Sequence, residues 1–266
     1  MPTTDELTGL VALVTGGSRN IGRRTALALA GRGADVIVTY RERLDAAAEA
    51  VAELEALGSR AAALQVDLTG TKQIPQRVAG VKDVLRAWSQ PRLDILVNNA
   101  GVMRLATSTK LPKPTSTSTS RSIARPSSFL TQQLSDVLAD GGRIVNLGSG
   151  TARIAFAPLA SYGPSKAAVQ ALTLYLAAHF GPRGITVNAV APGGLDDDFN
   201  RPLFADDARR QKLHHHEHGN WADRWAARCC GSHHLTYVRQ RRVSSPAPSS
   251  TSTAATTSRG ACRCRI

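Results

Sequence analysis

Apolar and polar residues fall into blocks along the first 210 or so residues, and the period of the blocks switches between strand-like and helix-like. Residues 10–15, LVALVT, are an unbroken apolar run ended by GGS, the pattern of a strand buried on both faces. NIGRRTALALAGRG follows with apolar positions at helical spacing and glycines at its close. ADVIVTY predicts a second strand, RLDAAAEAVAELEALG a helix of strong formers stopped by Gly58, and RAAALQVDL a third strand. A helix is expected over 71–88, with Pro75 in its first turn where proline is tolerated, and a fourth strand in LDILVNNAG. FLTQQLSDVLADGG predicts a helix and RIVNLGS a fifth strand. ASYGPSKAAVQALTLYLAAHFGPRG predicts a long helix and ITVNAVAPGG a sixth strand. Strands alternating with helices predict an α/β fold with a doubly wound, Rossmann-like parallel sheet, one domain over 1–208.

Two segments have neither period. Residues 104–128 are rich in Ser, Thr and Pro and read as a linker, although a loop of that length inside such a sheet is anomalous. Residues 209–266 are expected to form a basic, disordered tail. The net charge of +13 is confined to these pieces: residues 201–266 carry 12 Lys/Arg against 4 Asp/Glu, and 104–128 carry 5 Lys/Arg and no acid. The basic pI therefore describes two segments and not the fold. All 4 cysteines, Cys229, Cys230, Cys262 and Cys264, fall in the tail, so no disulfide framework is expected for the domain. The N-terminus lacks the pattern of a signal peptide, and no apolar run is long enough to span a membrane. A soluble, cytoplasmic protein is expected.

The turn after the first strand is TGGSRNIG, which contains Gly16, Ser18, Arg19, Asn20, Ile21 and Gly22. Glycines there let backbone amides at a helix N-terminus approach a pyrophosphate. Ser149 follows the fifth strand, and Tyr162 and Lys166 are four apart on one predicted helix. An ammonium beside a phenol stabilises phenolate and lowers the phenol's pKa, which suits it to proton transfer. Taken alone, the turn is a tight turn and the Tyr–Lys pair a surface pair. In order and spacing, TGGSRNIG, NNAG at 98–101, the Ser149/Tyr162/Lys166 set and the dipeptide Pro192 and Gly193 together resemble the short-chain dehydrogenase/reductase family.

The resemblance covers 8–103 and 129–200. It implies that Tyr162 protonates a carbonyl oxygen as hydride arrives from a nicotinamide, that Lys166 lowers the Tyr162 pKa and holds the ribose, and that Ser149 polarises the carbonyl. It implies cofactor contacts at Asp67 and Leu68 beside the adenine, at Asn98, Ala100 and Gly101, and at Pro192 and Gly193. The second strand ends in Tyr40 and Arg41 with no acid at its tip, and Arg19 lies in the phosphate turn. Two cations facing the adenosine ribose favour a 2′-phosphate, so NADP(H) is expected and NAD(H) is the less favoured cofactor. The expected function is hydride transfer between NADP(H) and a carbonyl or secondary-alcohol substrate.

The sequence also departs from the family. Asn20 replaces a glycine, a mild change because Asn tolerates positive φ. The family's fourth catalytic residue is an Asn, yet no Asn lies between Asn99 and Asn146, and its place falls near Ile123. The family's last strand and final helix have no counterpart. Both losses coincide with the anomalous segments, as shifted reading frames at about 104–128 and 213–266 would produce. One synonymous coding of SSPAPSSTSTAA, read two bases later, gives VTGAVVDVDGG. One of HHHEHGNWADRW, read one base later, gives TTTSTAIGRIG. An alternative is a chain that binds cofactor but is inactive. Another is a basic tail that binds nucleic acid, disfavoured because the only aromatics there are Trp221, Trp225 and Tyr237 among 209–266. No metal site is expected: His214, His215, His216 and His218 lack ligand spacing, and Cys229 and Cys230 are adjacent. A small-molecule substrate is expected, with neither nucleic acid nor membrane as partner, and a homo-tetramer or dimer if the tail is reframed.

Overall fold

The computed structural model describes residues 6–68, 74–110, 123–193 and 197–201. The tail expected over 209–266, with its histidine and cysteine runs, lies outside the described residues, as do residues 111–122 of the Ser/Thr-rich segment.

Six strands form a single parallel sheet in the order β3-β2-β1-β4-β5-β6: β1 Val11–Val14, β2 Asp35–Tyr40, β3 Ala61–Gln65, β4 Leu93–Asn98, β5 Leu138–Leu147 and β6 Thr186–Val190. This is the doubly wound Rossmann order, and the chain reverses direction between β1 and β4. Among the described residues five α-helices cover it: α1 Asn20–Ala30, α2 Leu44–Ala56, α3 Ile74–Ala87, α4 Ala124–Gln133 and α5 Tyr162–Phe180. Successive side chains of a strand point to opposite faces, and the core divides accordingly. Val11, Leu13, Ile37, Leu96 and Ile144 pack on α3, α4 and α5. Ala12, Val14, Val36, Val38, Ile95 and Val97 face the other way, against α1 and α2. Among the described residues β6 is an edge of the sheet. No helix among them is long and apolar enough to cross a membrane.

The expected elements before residue 100 are present within a few residues of their predicted ends. The next segment needs correction. The helix expected over 129–142 starts at Ala124 and stops at Gln133, so 124–128 is helix and not linker. Its first turn is held by polar groups that carry no apolar signal: Ser127 Oγ donates to the Ile123 carbonyl (2.8 Å) and Thr131 Oγ1 to the Ser127 carbonyl (2.8 Å). VLADGG, expected as the end of that helix, instead leads into and begins β5. Gly141 has φ +75°, and a Cβ on Gly142 would lie 2.8 Å from the Asp94 carbonyl, so the glycines serve the irregular pairing of β5 with β4. The start of the supposed linker is also ordered: Ala106 bridges Leu159, just before α5.

Candidate active site

The site lies at the C-terminal ends of β1, β4, β5 and β6, the edge of a doubly wound sheet where ligands bind. Thr15 ends β1 and anchors its neighbour across the switch point. Its Oγ1 donates to the Val97 carbonyl and accepts from the amides of Asn99 (2.9 Å) and Ala100 (3.0 Å). Asn99 Nδ2 returns to the carbonyls of Thr15 (2.8 Å) and Gly16 (3.1 Å). Thr39, at the end of β2, takes the Gly16 amide on its hydroxyl and the Gly17 amide on its carbonyl. Thr15, Thr39 and Asn99 thus shape the glycine turn, and none was marked as a site residue from sequence. The doubled Asn of NNAG was the available signal.

The turn fits a dinucleotide phosphate. A Cβ on Gly22 would lie 2.2 Å from the Gly16 carbonyl oxygen and 2.6 Å from Asn99 Nδ2, so only glycine lets α1 start this close to β1. Arg19 occupies the N-cap of α1 with no side-chain cap, and the first turn holds no acid. First-turn amides have no partner within the helix, so this end of α1 presents free donors and positive potential. Asn20 has φ +50°, the strained conformation its side chain tolerates. Ser18 is buried beneath the turn, while Arg19 is exposed and Ile21 and Gly22 open α1.

Other expected cofactor residues lie around this crevice. Gly16 approaches Ala100, whose Cα is 3.2 Å from where a Gly16 Cβ would be, and Gly101 leads on to the catalytic candidates. The Asn98 side chain turns inward instead, donating to Thr131 Oγ1 (3.1 Å) and Asn146 Oδ1 (2.8 Å) inside the sheet. Tyr40 ends β2, and Val66 pairs with its carbonyl, which puts Asp67 and Leu68 beside the tip of β2. Arg41 is 46 % exposed on its side chain and forms an ion pair with Glu42 at 2.6 Å. An acid thus does stand next to the tip, engaged with the arginine. Pro192 follows β6, and its carbonyl accepts from the Gly150 amide (3.0 Å); Gly193 comes next.

The structure brings Ser149, Tyr162 and Lys166 together, all three buried. Lys166 Nζ donates to the Leu147 carbonyl at 2.6 Å and lies 5.7 Å from the centre of the Tyr162 ring. Burial pushes the Lys166 ammonium down to about 8. Burial also raises the Tyr162 phenol above its ordinary value, a hydrogen bond with Ser149 opposes the rise, and the Asp197 carboxylate adds to it. The sequence argument expected the reverse shift from the lysine. Desolvation dominates here, and the shift favours the protonated phenol. Asp197 itself is pushed upward by burial.

An apolar wall closes the site. Ile123, Leu159, Tyr162 and Val169 form one cluster with Met103, Phe156 and Phe199, and the Phe199 ring meets Tyr162 at 6.1 Å between centres. Ile123 is 1 % exposed. Its Cγ1 and Lys166 Nζ lie 3.9 Å and 3.7 Å from the same point, where a Cβ on Gly101 would stand. Both side chains thus border the space at Gly101, and an aliphatic group stands near where the family resemblance had placed an Asn.

A family model described as short chain dehydrogenase matches residues 10–208. The chain belongs to the short-chain dehydrogenase family. It is 37% identical over 202 residues to hydroxynaphthalene reductase arp2 of Aspergillus fumigatus, covering 73% of this chain and 70% of that protein. It is 36% identical over 196 residues to a probable tetrahydroxynaphthalene reductase of Zymoseptoria tritici, covering 73% and 72%. Among solved structures, a short chain dehydrogenase from Burkholderia cenocepacia in complex with NADP is similar with a TM-score of 0.75 and 40% identity, over 84% of this chain and 89% of that one. The angucycline C-6 ketoreductase LanV with bound NADP is similar with a TM-score of 0.74 and 38% identity, over 79% and 81%. These short-chain dehydrogenase relatives are oxidoreductases, and the fold, the glycine turn and the buried Ser149/Tyr162/Lys166 cluster agree with membership.

Proposed function

We propose that this chain is an NADP(H)-dependent reductase of ketones fused to or conjugated with aromatic rings. The observation that carries the proposal is the buried cluster of Ser149, Tyr162 and Lys166, reached from the uncapped start of α1 through Ala100 and Gly101. Gly16, Ser18, Arg19, Asn20, Ile21 and Gly22 would hold the pyrophosphate; Tyr40, Arg41, Asp67 and Leu68 the adenosine; and Ala100, Gly101, Pro192, Gly193 and Lys166 the nicotinamide side. The nicotinamide supplies hydride to the carbonyl carbon. Tyr162 donates its phenolic proton to the carbonyl oxygen, and Ser149 donates a hydrogen bond to that oxygen as charge develops on it. Lys166, held by the Leu147 carbonyl, supplies positive charge beside the phenolate that remains. Met103, Phe156 and Phe199 suit a flat apolar substrate, in keeping with the hydroxynaphthalene and angucycline named for two relatives.

A second reading follows from Ile123. An aliphatic group near the place expected for the Asn offers no polar relay for the proton that must return to Tyr162. On that reading the chain binds NADP(H) without turning substrate over.

One experiment tests both. The full chain is incubated with NADPH deuterated at the nicotinamide C4 and with 2-tetralone, a bicyclic ketone fused to an aromatic ring. Deuterium at the carbinol carbon supports the reductase. NADPH binding without transfer supports the second reading, and failure to bind NADPH contradicts both.

A further inference from the structure

We propose that Thr151 is a positioning residue that fixes the Ser149 hydroxyl as a hydrogen-bond donor, its proton held toward the Tyr162 phenol and the reacting carbonyl oxygen. The inference rests on the function proposed above. A serine hydroxyl has one proton and two lone pairs. Both acceptor positions of Ser149 are taken by one residue: the Thr151 hydroxyl donates to Ser149 Oγ at 2.8 Å and the Thr151 amide at 3.2 Å. The Ser149 proton is then the only free part of the group. It has to point away from Thr151, on the side where Tyr162 bonds it. Threonine hydroxyl to serine hydroxyl to phenol is a chain of donors in which each bond polarises the next. A serine left with a free lone pair could rotate and accept from Tyr162, competing with the substrate oxygen for the phenol's proton.

The backbone around Thr151 holds its place without the side chain. The short 3-10 turn Gly150–Ala152 is fixed by the Gly150 amide on the Pro192 carbonyl (3.0 Å) and by the Ala152 amide on the Ser149 carbonyl (3.1 Å). It lies against the first turn of α5, where a Cβ on Gly163 would be 2.9 Å from the Thr151 carbonyl. Thr151→Val, which keeps the shape and the amide and removes only the hydroxyl, therefore isolates the proposed role.

The test measures 2-tetralone reduction by full-length wild type, Thr151→Val, Thr151→Ser and Tyr162→Phe, with NADPH affinity and Tm for each. For Thr151→Val, kcat is expected to fall about tenfold, less than the loss of a whole oxyanion donor because Ser149 remains, with NADPH affinity and Tm unchanged. Thr151→Ser should return kcat to within about twofold of wild type, because it restores the donor. The basic limb of the kcat/KM–pH profile, which reports the enzyme before substrate binds, should move to higher pH in Thr151→Val, since the Ser149 bond that lowers the phenol's pKa is weakened. The charged groups facing the phenol, Lys166 on its own helix and Asp197 after β6, are the same in both proteins. Unchanged kcat in Thr151→Val, with turnover lost in Tyr162→Phe, would overturn the role of Thr151 and leave the function standing. Turnover retained in Tyr162→Phe, or absent in wild type, would overturn the function and this inference with it. Loss of kcat together with NADPH affinity or Tm would make Thr151 a packing residue and overturn its positioning role.

Discussion

On the β1–β3 side of the switch point, buried hydroxyls turn back onto backbone carbonyls: Thr15 on Val97, Thr25 on Ile21, Ser59 on Ala34. On the β4–β6 side Ser127, Thr131, Ser165 and Thr173 likewise bond carbonyls about one turn back, and buried side chains in addition bond one another. Asn98 reaches Thr131 and Asn146, and Asn146 reaches Thr173, which joins α4, β4, β5 and α5 in one polar chain. In the first half each hydroxyl serves a local turn or strand end, and apolar burial does the rest. In the second half the relative placement of four elements depends on matched polar groups. Those elements carry Ala100, Leu147, Ser149, Tyr162 and Lys166. The half proposed to receive the phosphates is built for close backbone approach, and the half proposed to perform the chemistry is held by a further chain of matched side chains.

The largest expected effect on cofactor binding falls on the first half. Gly22→Val puts a branched side chain where a Cβ alone would lie 2.2 Å from the Gly16 carbonyl. The turn must move, and NADPH affinity should fall about 100-fold or more, as titration of NADPH fluorescence would measure. An affinity within a few-fold of wild type would remove close approach as the reason for this glycine.

A smaller effect separates the halves by stability. Asn146→Ala leaves Asn98 Nδ2 and Thr173 Oγ1 each short of a buried partner. It should cost about 1–3 kcal/mol, a fall in Tm of several degrees. Thr25→Ala, which loses one bond to a carbonyl four residues back, should cost about 0.5 kcal/mol or less. Equal losses in thermal melts of the two variants would erase the distinction.

The smallest effect concerns cofactor choice. Arg41→Asp removes a cation and supplies an acceptor for ribose hydroxyls at the tip of β2. The NADPH/NADH ratio of kcat/KM should fall by about tenfold, the effect moderated because Arg41 is exposed and already paired with Glu42. An unchanged ratio would move cofactor discrimination to Arg19 or to backbone groups.

The same contrast explains how much was legible in the sequence. The order of elements followed from pattern, because LVALVT, ADVIVTY and the alanine-rich α2 carry their burial in their apolar residues, and the grouping of Ser149, Tyr162 and Lys166 followed from the family resemblance. Residues 124–142 did not. Ser127 reads as linker and Thr131 only as part of a helix, yet both are buried because their hydroxyls find carbonyls one turn back. Gly141 and Gly142 read as the end of a helix, yet they serve an irregular strand pairing that is visible only once Asp94 lies alongside. Thr15, Thr39 and Asn99 escaped notice for a related reason: their partners are backbone atoms on neighbouring strands, which no spacing along the chain reveals. The direction of the Tyr162 shift was missed because charge proximity can be inferred from i and i+4 positions, and depth of burial cannot.

The division of labour between the two halves is tested most directly by Tyr162→Phe. On the proposed mechanism the phenol acts on the reacting oxygen, and it takes no part in the glycine turn. Turnover of 2-tetralone should therefore fall by ~10²–10⁴ while NADPH binds within about twofold of wild type. Retained turnover, or NADPH affinity lost in step with turnover, would contradict the account.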